Sequence, residues 1–466
     1  MRALTALPID DDVLDRIFTF CPTFSTLQSL MLTSKAFYNV YQTHPRSITR
    51  AVAYNIVGPA LPQALRVLRY PYGDDSLEDD SESRKKYHEE DAHTMATTCP
   101  EDHDPSVIAA REKMDLQQDA KLVQKLEDIY SLTKKDRTSK TSVLTSDESW
   151  RFRRAMYRIM FYCKLFPGSR YSLEDMDELP ADGVKKIQLQ RMAVLREYPT
   201  DELLQIYGVV RFMRDVLEEV CDEDFGPNNA VDVLLTLGPE IVLRVWQDRS
   251  YESHEDNLGF SLFDSDDDIP LYQGYFSVPL QNIWTARKVT TPPKDDEPAT
   301  KYILDSVVGA NDTCSQCPTP GGFKLITAGN WHRREFSPTQ FLKNRLRQTM
   351  WISSPFLEAV IKMRRYKHEY EDPEEDSLAR WFVAVFDTPG KPSEWDAWTK
   401  DKSYCDKCFV RFLEENAWRW WYAERVRDGW NAPENCWYGY NCKTMTHRQA
   451  HAEGKNHLCV PTRGDP

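Results

Sequence analysis

The placement of cysteine and histidine constrains this chain more than any other feature. Seven of its eleven cysteines (Cys314, Cys317, Cys405, Cys408, Cys436, Cys442 and Cys459) lie in the last third of 466 residues. Cys405 and Cys408 form a C-x2-C pair, a turn that points two thiolates at one ion about 2.3 Å away. Cys436, Cys442, His447, His451, His457 and Cys459 follow, so eight soft or borderline donors fall within 55 residues. This density reads as one structural Zn2+ site. The favoured ligands are Cys405, Cys408, Cys442 and one of His451, His457 or Cys459. Cys436 and His447 complete the candidate set, and two four-ligand sites are arithmetically possible. The plainer alternative is a group of buried cysteines packing as small apolar side chains. His447 and His451 lie one helical turn apart. They lack the glutamate beside the first histidine that a zinc protease uses as its base, which excludes that chemistry. Cys314-Ser315-Gln316-Cys317 is a second C-x2-C. It reads as half of another zinc knuckle, as a loop with two free thiols, or as a redox pair, though no βαβ pattern surrounds it to support a thioredoxin-like role.

Eleven cysteines in so long a chain do not suggest a disulfide framework. The mean hydropathy is −0.61, and no run reaches the ~18–20 apolar residues that cross a bilayer. The first residues run into Asp10-Asp11-Asp12 with no apolar leader, and Arg2 stands where N-myristoylation needs glycine. The expectation is a soluble intracellular protein of cytoplasm or nucleus, with no membrane contact. A net charge of −14 argues against a general nucleic-acid coat.

Apolar periodicity predicts a mainly α-helical chain of several units. Residues 1–72 read as an N-terminal helical module and the helices after it. Residues 73–105 hold twelve acidic and three basic residues with few apolar ones, the composition of a disordered linker. Residues 106–290 form a helical middle region. Its stripes include Leu116, Val123, Leu126 and Ile129; Phe152, Met156, Ile159, Met160 and Cys163; and Leu203, Leu204, Tyr207, Val210, Met213 and Leu217. Residues 231–245 read as a helical hairpin broken at Gly238-Pro239. Residues 291–312 read as a second linker. Residues 313–466 form an irregular Cys/Trp-rich region, in which eight of thirteen tryptophans lie between 381 and 437. These tryptophans beside Arg411, Arg419, Arg425 and Arg427 invite base stacking. With little net charge around them, an aromatic core is the better reading.

Near the N-terminus, Leu7-Pro8 leads into an acidic run and then Val13, Leu14, Ile17 and Phe18, a helical stripe. Proline suits a helix start, where its missing N–H would be unpaired anyway, and the aspartates suit the positive helix end. Cys21-Pro22 stops this helix. Ser25 is expected to cap the next, which carries Leu27, Leu30, Met31 and Leu32. Thr33-Ser34-Lys35 leads into a third with Phe37. This order resembles the F-box, a three-helix module that docks on the Skp-type adaptor of cullin–RING ubiquitin ligases. Residues 48–72 and Cys436-Trp437-Tyr438-Gly439-Tyr440-Asn441-Cys442 are similar to large families of fungal F-box proteins of unknown substrate. The resemblance implies that Leu7, Pro8, Val13, Leu14, Ile17 and Phe18 contact the adaptor, with Leu27, Leu30 and Leu32 packing behind or beside them, and it counts Phe37 with this set. It also implies a non-catalytic subunit that presents a protein substrate to the ligase.

No phosphate-binding G-x-x-x-x-G-K-[ST] loop, G-x-S-x-G elbow or kinase signature occurs, and Asp387-Thr388-Pro389-Gly390 reads as an ordinary turn. Two other readings stand beside the adaptor. One is a zinc-stabilised nucleic-acid or chromatin module without a ligase role. The other is a metalloenzyme, which would need an open coordination position and a neighbouring base.

Overall fold

The computed structural model describes residues 10–69, 96–97, 101, 108–136, 141–168, 181–218, 230–248, 271–289, 293, 298–327, 330, 342, 345–347 and 377–463. Most of the acidic segment 73–105 lies outside them, as do Leu7 and Pro8. The chain is mainly helical. Among the described residues there is no named strand, only isolated bridges. None of their helices is long and apolar enough to cross a membrane. The chain divides into two compact units. One comprises residues 1–135 and 142–306, the other residues 136–141 and 307–466.

The first unit opens with four helices: α1 (Asp11–Thr19), α2 (Phe24–Met31), α3 (Lys35–Thr43) and α4 (Pro45–Val57). Asp11 and Asp12 sit on the positive end of α1. Thr23, not Ser25, caps α2: its hydroxyl accepts from the Thr26 N–H at 3.1 Å, and Ser25 falls inside the helix. Ser34 caps α3 in the same way. Leu14, Phe18, Cys21, Leu27 and Val40 pack with Ile48 and Val52 of α4 into one small core. Phe18 meets Phe37 edge-on at 5.4 Å. The Asn55 side-chain amide donates to the Thr19 and Cys21 carbonyls, which locks the end of α1 onto α4.

These helices belong to the same unit as α5 (Leu61–Arg69), α6 (Ala110–Tyr130), α7 (Ser146–Leu165), α8 (Ala181–Arg196), α9 (Thr200–Glu218), α10 (Ala230–Thr236), α11 (Pro239–Asp248) and α12 (Ser277–Ala286). α7 starts at a capping box in which Thr145 and Glu148 each bond the other's backbone N–H. It is buried on nearly every side, with Phe152, Met156, Ile159, Met160 and Cys163 all in the core. Its arginines are therefore paired rather than solvated. Arg158 makes a two-pronged contact with Glu101 at 2.8 and 2.9 Å, and Arg154 reaches Glu202 and Gln205. Tyr130, Phe152 and Phe212 join α6, α7 and α9 through an aromatic triad. In the segment expected to be the second linker, Ala299, Ile303 and Leu304 are buried, and residues 299–302 form a 3-10 turn. They lie against α9 at Gly208, where a side chain would press on the Ala299 carbonyl at 3.0 Å.

The second unit is built around α13 (Ser377–Asp387) and α14 (Asp406–Arg427). Trp381, Trp395, Trp398, Trp418, Trp420 and Trp421 are all in its core. Phe412 is the hub, stacked on Phe386 at 4.2 Å and on Trp398 at 5.5 Å. A short helix, α15 (Gln449–Gly454), lies near the end of this unit.

Candidate metal centres

Local structure first explains how two distant C-x2-C pairs meet. The chain at 313–320 doubles back, with the Cys314 N–H donating to the Thr319 carbonyl at 2.9 Å. Ile326 and Tyr404 exchange two backbone hydrogen bonds of 2.7 and 3.0 Å, and the Ser315 N–H donates to Ser403 at 2.9 Å. This pairing carries the Cys314–Cys317 turn to the start of α14. There Cys405 is the residue preceding the helix and Cys408 lies in its first turn. A helix N-terminus favours thiolate over thiol.

Cys314, Cys317, Cys405 and Cys408 thereby converge, with all four sulfurs within 4.8 Å of one another. Cys317 Sγ lies 3.6 Å from Cys405 Sγ. In a tetrahedron with metal–sulfur bonds of about 2.3 Å, the sulfurs stand about 3.8 Å apart. Hydrogen bonds with the side chain and backbone of Thr319 pull the Cys317 thiol down to about 6. Burial pushes the Cys405 and Cys408 thiols up in the metal-free chain. A shared cation would reverse that by stabilising the thiolates.

A second set forms nearer the C-terminus, where Cys436, Cys442, His451 and His457 bring their ligand atoms within 4.8 Å of one another. His451 Nε2 lies 3.6 Å from Cys436 Sγ and 3.3 Å from Cys442 Sγ. A tetrahedral edge between sulfur and nitrogen ligands is about 3.5 Å. His451 comes from α15, and its ring meets that of His457 at 5.0 Å. His457 is buried, and its Nε2 has no hydrogen-bond partner. A backbone group of Lys455 bonds the ring, the arrangement that orients a ligating imidazole. A buried ring nitrogen without a partner is costly unless something coordinates it. Burial, then the neighbouring His451, pushes the His457 pKa down, and burial raises the Cys436 thiol.

Gly439 makes the turn between Cys436 and Cys442 possible. Its φ is +42°, and a Cβ there would stand 2.1 Å from the Cys459 carbonyl oxygen. Tyr440 packs on Trp418 of α14 at 5.3 Å. Arg347 lies over Tyr440 and bonds both Asn441 and Glu415, tying the turn to α14.

The structure therefore separates ligands that the sequence suggested would act together. Cys405 and Cys408 pair with Cys314 and Cys317, not with Cys442, because the Ile326–Tyr404 bridge fixes their neighbour. Cys436, a reserve candidate, is in the second set. His447 is exposed and outside both sets: it ends a 3-10 turn before α15 begins, so the one-turn spacing to His451 is not on a continuous helix. Cys459 is buried beside the second set, but its thiol donates to the Cys436 and Asn456 carbonyls instead. Cys314 and Cys317, which the sequence offered as half of another knuckle among other readings, are the candidates left out of the favoured ligand set. The signal for them was the identical C-x2-C spacing of the two pairs.

At the N-terminus the structure divides the suggested docking residues in two. Leu14 and Phe18 are 3% and 0% exposed and belong to the module's own core, together with Leu27. Val13 and Ile17, on the other side of α1, are 50% and 38% exposed. Leu32 is exposed rather than packed behind them, and Leu30 and Phe37 are half-buried. No family model, curated protein or solved structure matches the chain.

Proposed function

We propose that the chain is an F-box-type adaptor subunit of a Skp–cullin ubiquitin ligase whose second unit is held together by two structural zinc ions. The observation that carries the adaptor reading is the two-sided α1. Leu14 and Phe18 are enough to anchor it, so Val13 and Ile17 remain outward with Phe20, Leu32 and Tyr38, all exposed. Large apolar side chains kept in water on a small helical bundle fit a partner's groove. Zinc follows from the donors. Four sulfurs, or two sulfurs with two imidazoles, in a tetrahedral spacing suit a d10 ion with no redox chemistry. Four protein ligands at each site leave no position for a reacting water, which supports a structural rather than catalytic metal.

The test is binding of the full chain to a Skp-type adaptor by calorimetry, compared with a Val13→Asp, Ile17→Asp double variant. Both positions are exposed, so the variant keeps the helical circular dichroism of the wild type. Submicromolar binding that the variant loses supports the reading. A wild-type chain that does not bind the adaptor, or a variant that binds it equally well, refutes it.

A further inference from the structure

The buried tryptophans of the second unit offer no face to a ligand, but the second metal set presents two aromatics that do. Between the ligands Cys436 and Cys442, Trp437 is 55% exposed and Tyr438 is 49% exposed. They stand on a turn fixed at both ends by ligands, at Gly439 by its backbone approach to Cys459, and at Tyr440 by packing. The Thr462 and Arg463 N–H groups both donate to the Trp437 carbonyl, at 2.8 and 3.0 Å. The Arg463 guanidinium lies 3.7 Å from the Trp437 ring centroid. Two large aromatics held rigidly in water lose little freedom when a flat ligand stacks on them.

The charge of this segment is opposite to that of the chain. From Cys436 to Arg463 the basic residues are Lys443, Arg448, Lys455 and Arg463, and the one acidic residue is Glu453, a net of +3 in a chain of −14. Lys455 is engaged by Glu434. Lys443, Arg448 and Arg463 are exposed, and so is His447.

We infer that the Cys436–Arg463 segment binds single-stranded nucleic acid, with Trp437 and Tyr438 stacking on bases and Lys443, Arg448 and Arg463 meeting phosphates. Exposed aromatics among cations are the combination that single strands require, since every base has a π-face and every linkage a negative charge. A duplex hides its bases in the stack and offers these rings nothing. An acidic peptide would satisfy the cations but not the rings. The inference rests on the metal reading for this set, because the metal fixes the turn.

The experiment is fluorescence anisotropy with labelled oligo-uridylate of about twenty nucleotides, using the full zinc-loaded chain. Metal content is measured on the same samples. Binding is expected to weaken by an order of magnitude or more between about 50 and 200 mM salt. Trp437→Ala with Tyr438→Ala is expected to weaken it roughly tenfold or more at unchanged metal content. Lys443→Glu with Arg448→Glu is expected to weaken it and flatten the salt dependence. Three results overturn the inference: no binding by a chain that holds both metals, equal binding by the aromatic variant, or equal affinity for poly-glutamate. A chain that lacks the second metal overturns the metal reading, and this inference with it, and the metal assay identifies that case.

Discussion

Chelation should unfold one part of this molecule and leave the other intact. Both ligand sets lie in the unit formed by residues 136–141 and 307–466, and none of their members lies in the first unit. An ion bound at a thousand times its dissociation constant stabilises its host by about 4 kcal/mol. Each kcal/mol shifts the melting temperature of a unit of roughly this size by about 2–4 °C. Removing one such ion should therefore lower the melting of the second unit by about 8–16 °C, and tighter binding by more. The assay is scanning calorimetry with and without a strong chelator, at a pH where the thiolates form. Two transitions are expected, of which only one moves. Substitutions sharpen the result. Cys442→Ser should reduce bound zinc from two ions to one. Cys459→Ser should leave two, because that thiol bonds backbone carbonyls rather than joining the set. Equal shifts of both transitions on chelation, no shift of either, or loss of an ion in Cys459→Ser would contradict two metal sets confined to the second unit.

Two further outcomes follow from particular residues. Gly439→Ala should disrupt the second metal set while sparing the first, since a Cβ there meets the Cys459 carbonyl at 2.1 Å; zinc titration of the variant should show one tight site. Asp119 is partly buried, and its Oδ2 has no hydrogen-bond partner. Burial raises its pKa to about 6, with Asp115 and Glu240 adding to the shift and Lys164 opposing it. A carboxyl with a folded pKa above its unfolded one stabilises the fold only while protonated. That contribution is present below the unfolded pKa of about 4 and is lost as the pH rises through 6. Asp119→Asn removes the loss, so its stability advantage should grow between those limits by up to about 3 kcal/mol. Urea unfolding at both pH values measures it, and an advantage that does not change with pH contradicts the assignment.

Helices were the legible part of this fold because their evidence is local. The stripe Phe152, Met156, Ile159, Met160 and Cys163 needs only 3.6-residue spacing to be seen, and all five are buried. Gly238, with φ +84°, separates α10 and α11 where the sequence shows Gly-Pro. Less legible was which side of α1 faces inward. Val13, Leu14, Ile17 and Phe18 are all apolar, and the choice is made by Phe37, Ile48 and Val52, which pack on that helix from elsewhere in the chain. The candidate metal ligands show the same limit. Donor types were visible in the sequence, but their partnership depends on a bridge between Ile326 and Tyr404, which no local spacing announces. Thr23 displaced Ser25 as a cap for a smaller reason of the same kind: the helix begins two residues earlier than the pattern suggested.

The two candidate metal sets are closed over very different lengths of chain, and this bears on how the protein is made. His451 and His457 follow Cys442 closely, so the second set can capture an ion almost as soon as it leaves the ribosome. Cys317 precedes Cys405 by 88 residues. At ordinary translation rates the first pair waits roughly 4–18 s as an incomplete site before its partners are synthesised. During that interval it is an open dithiol, available to oxidants and to stray copper. Recombinant yield should therefore respond to zinc and reductant supplied during expression more strongly than to the same additions made after lysis.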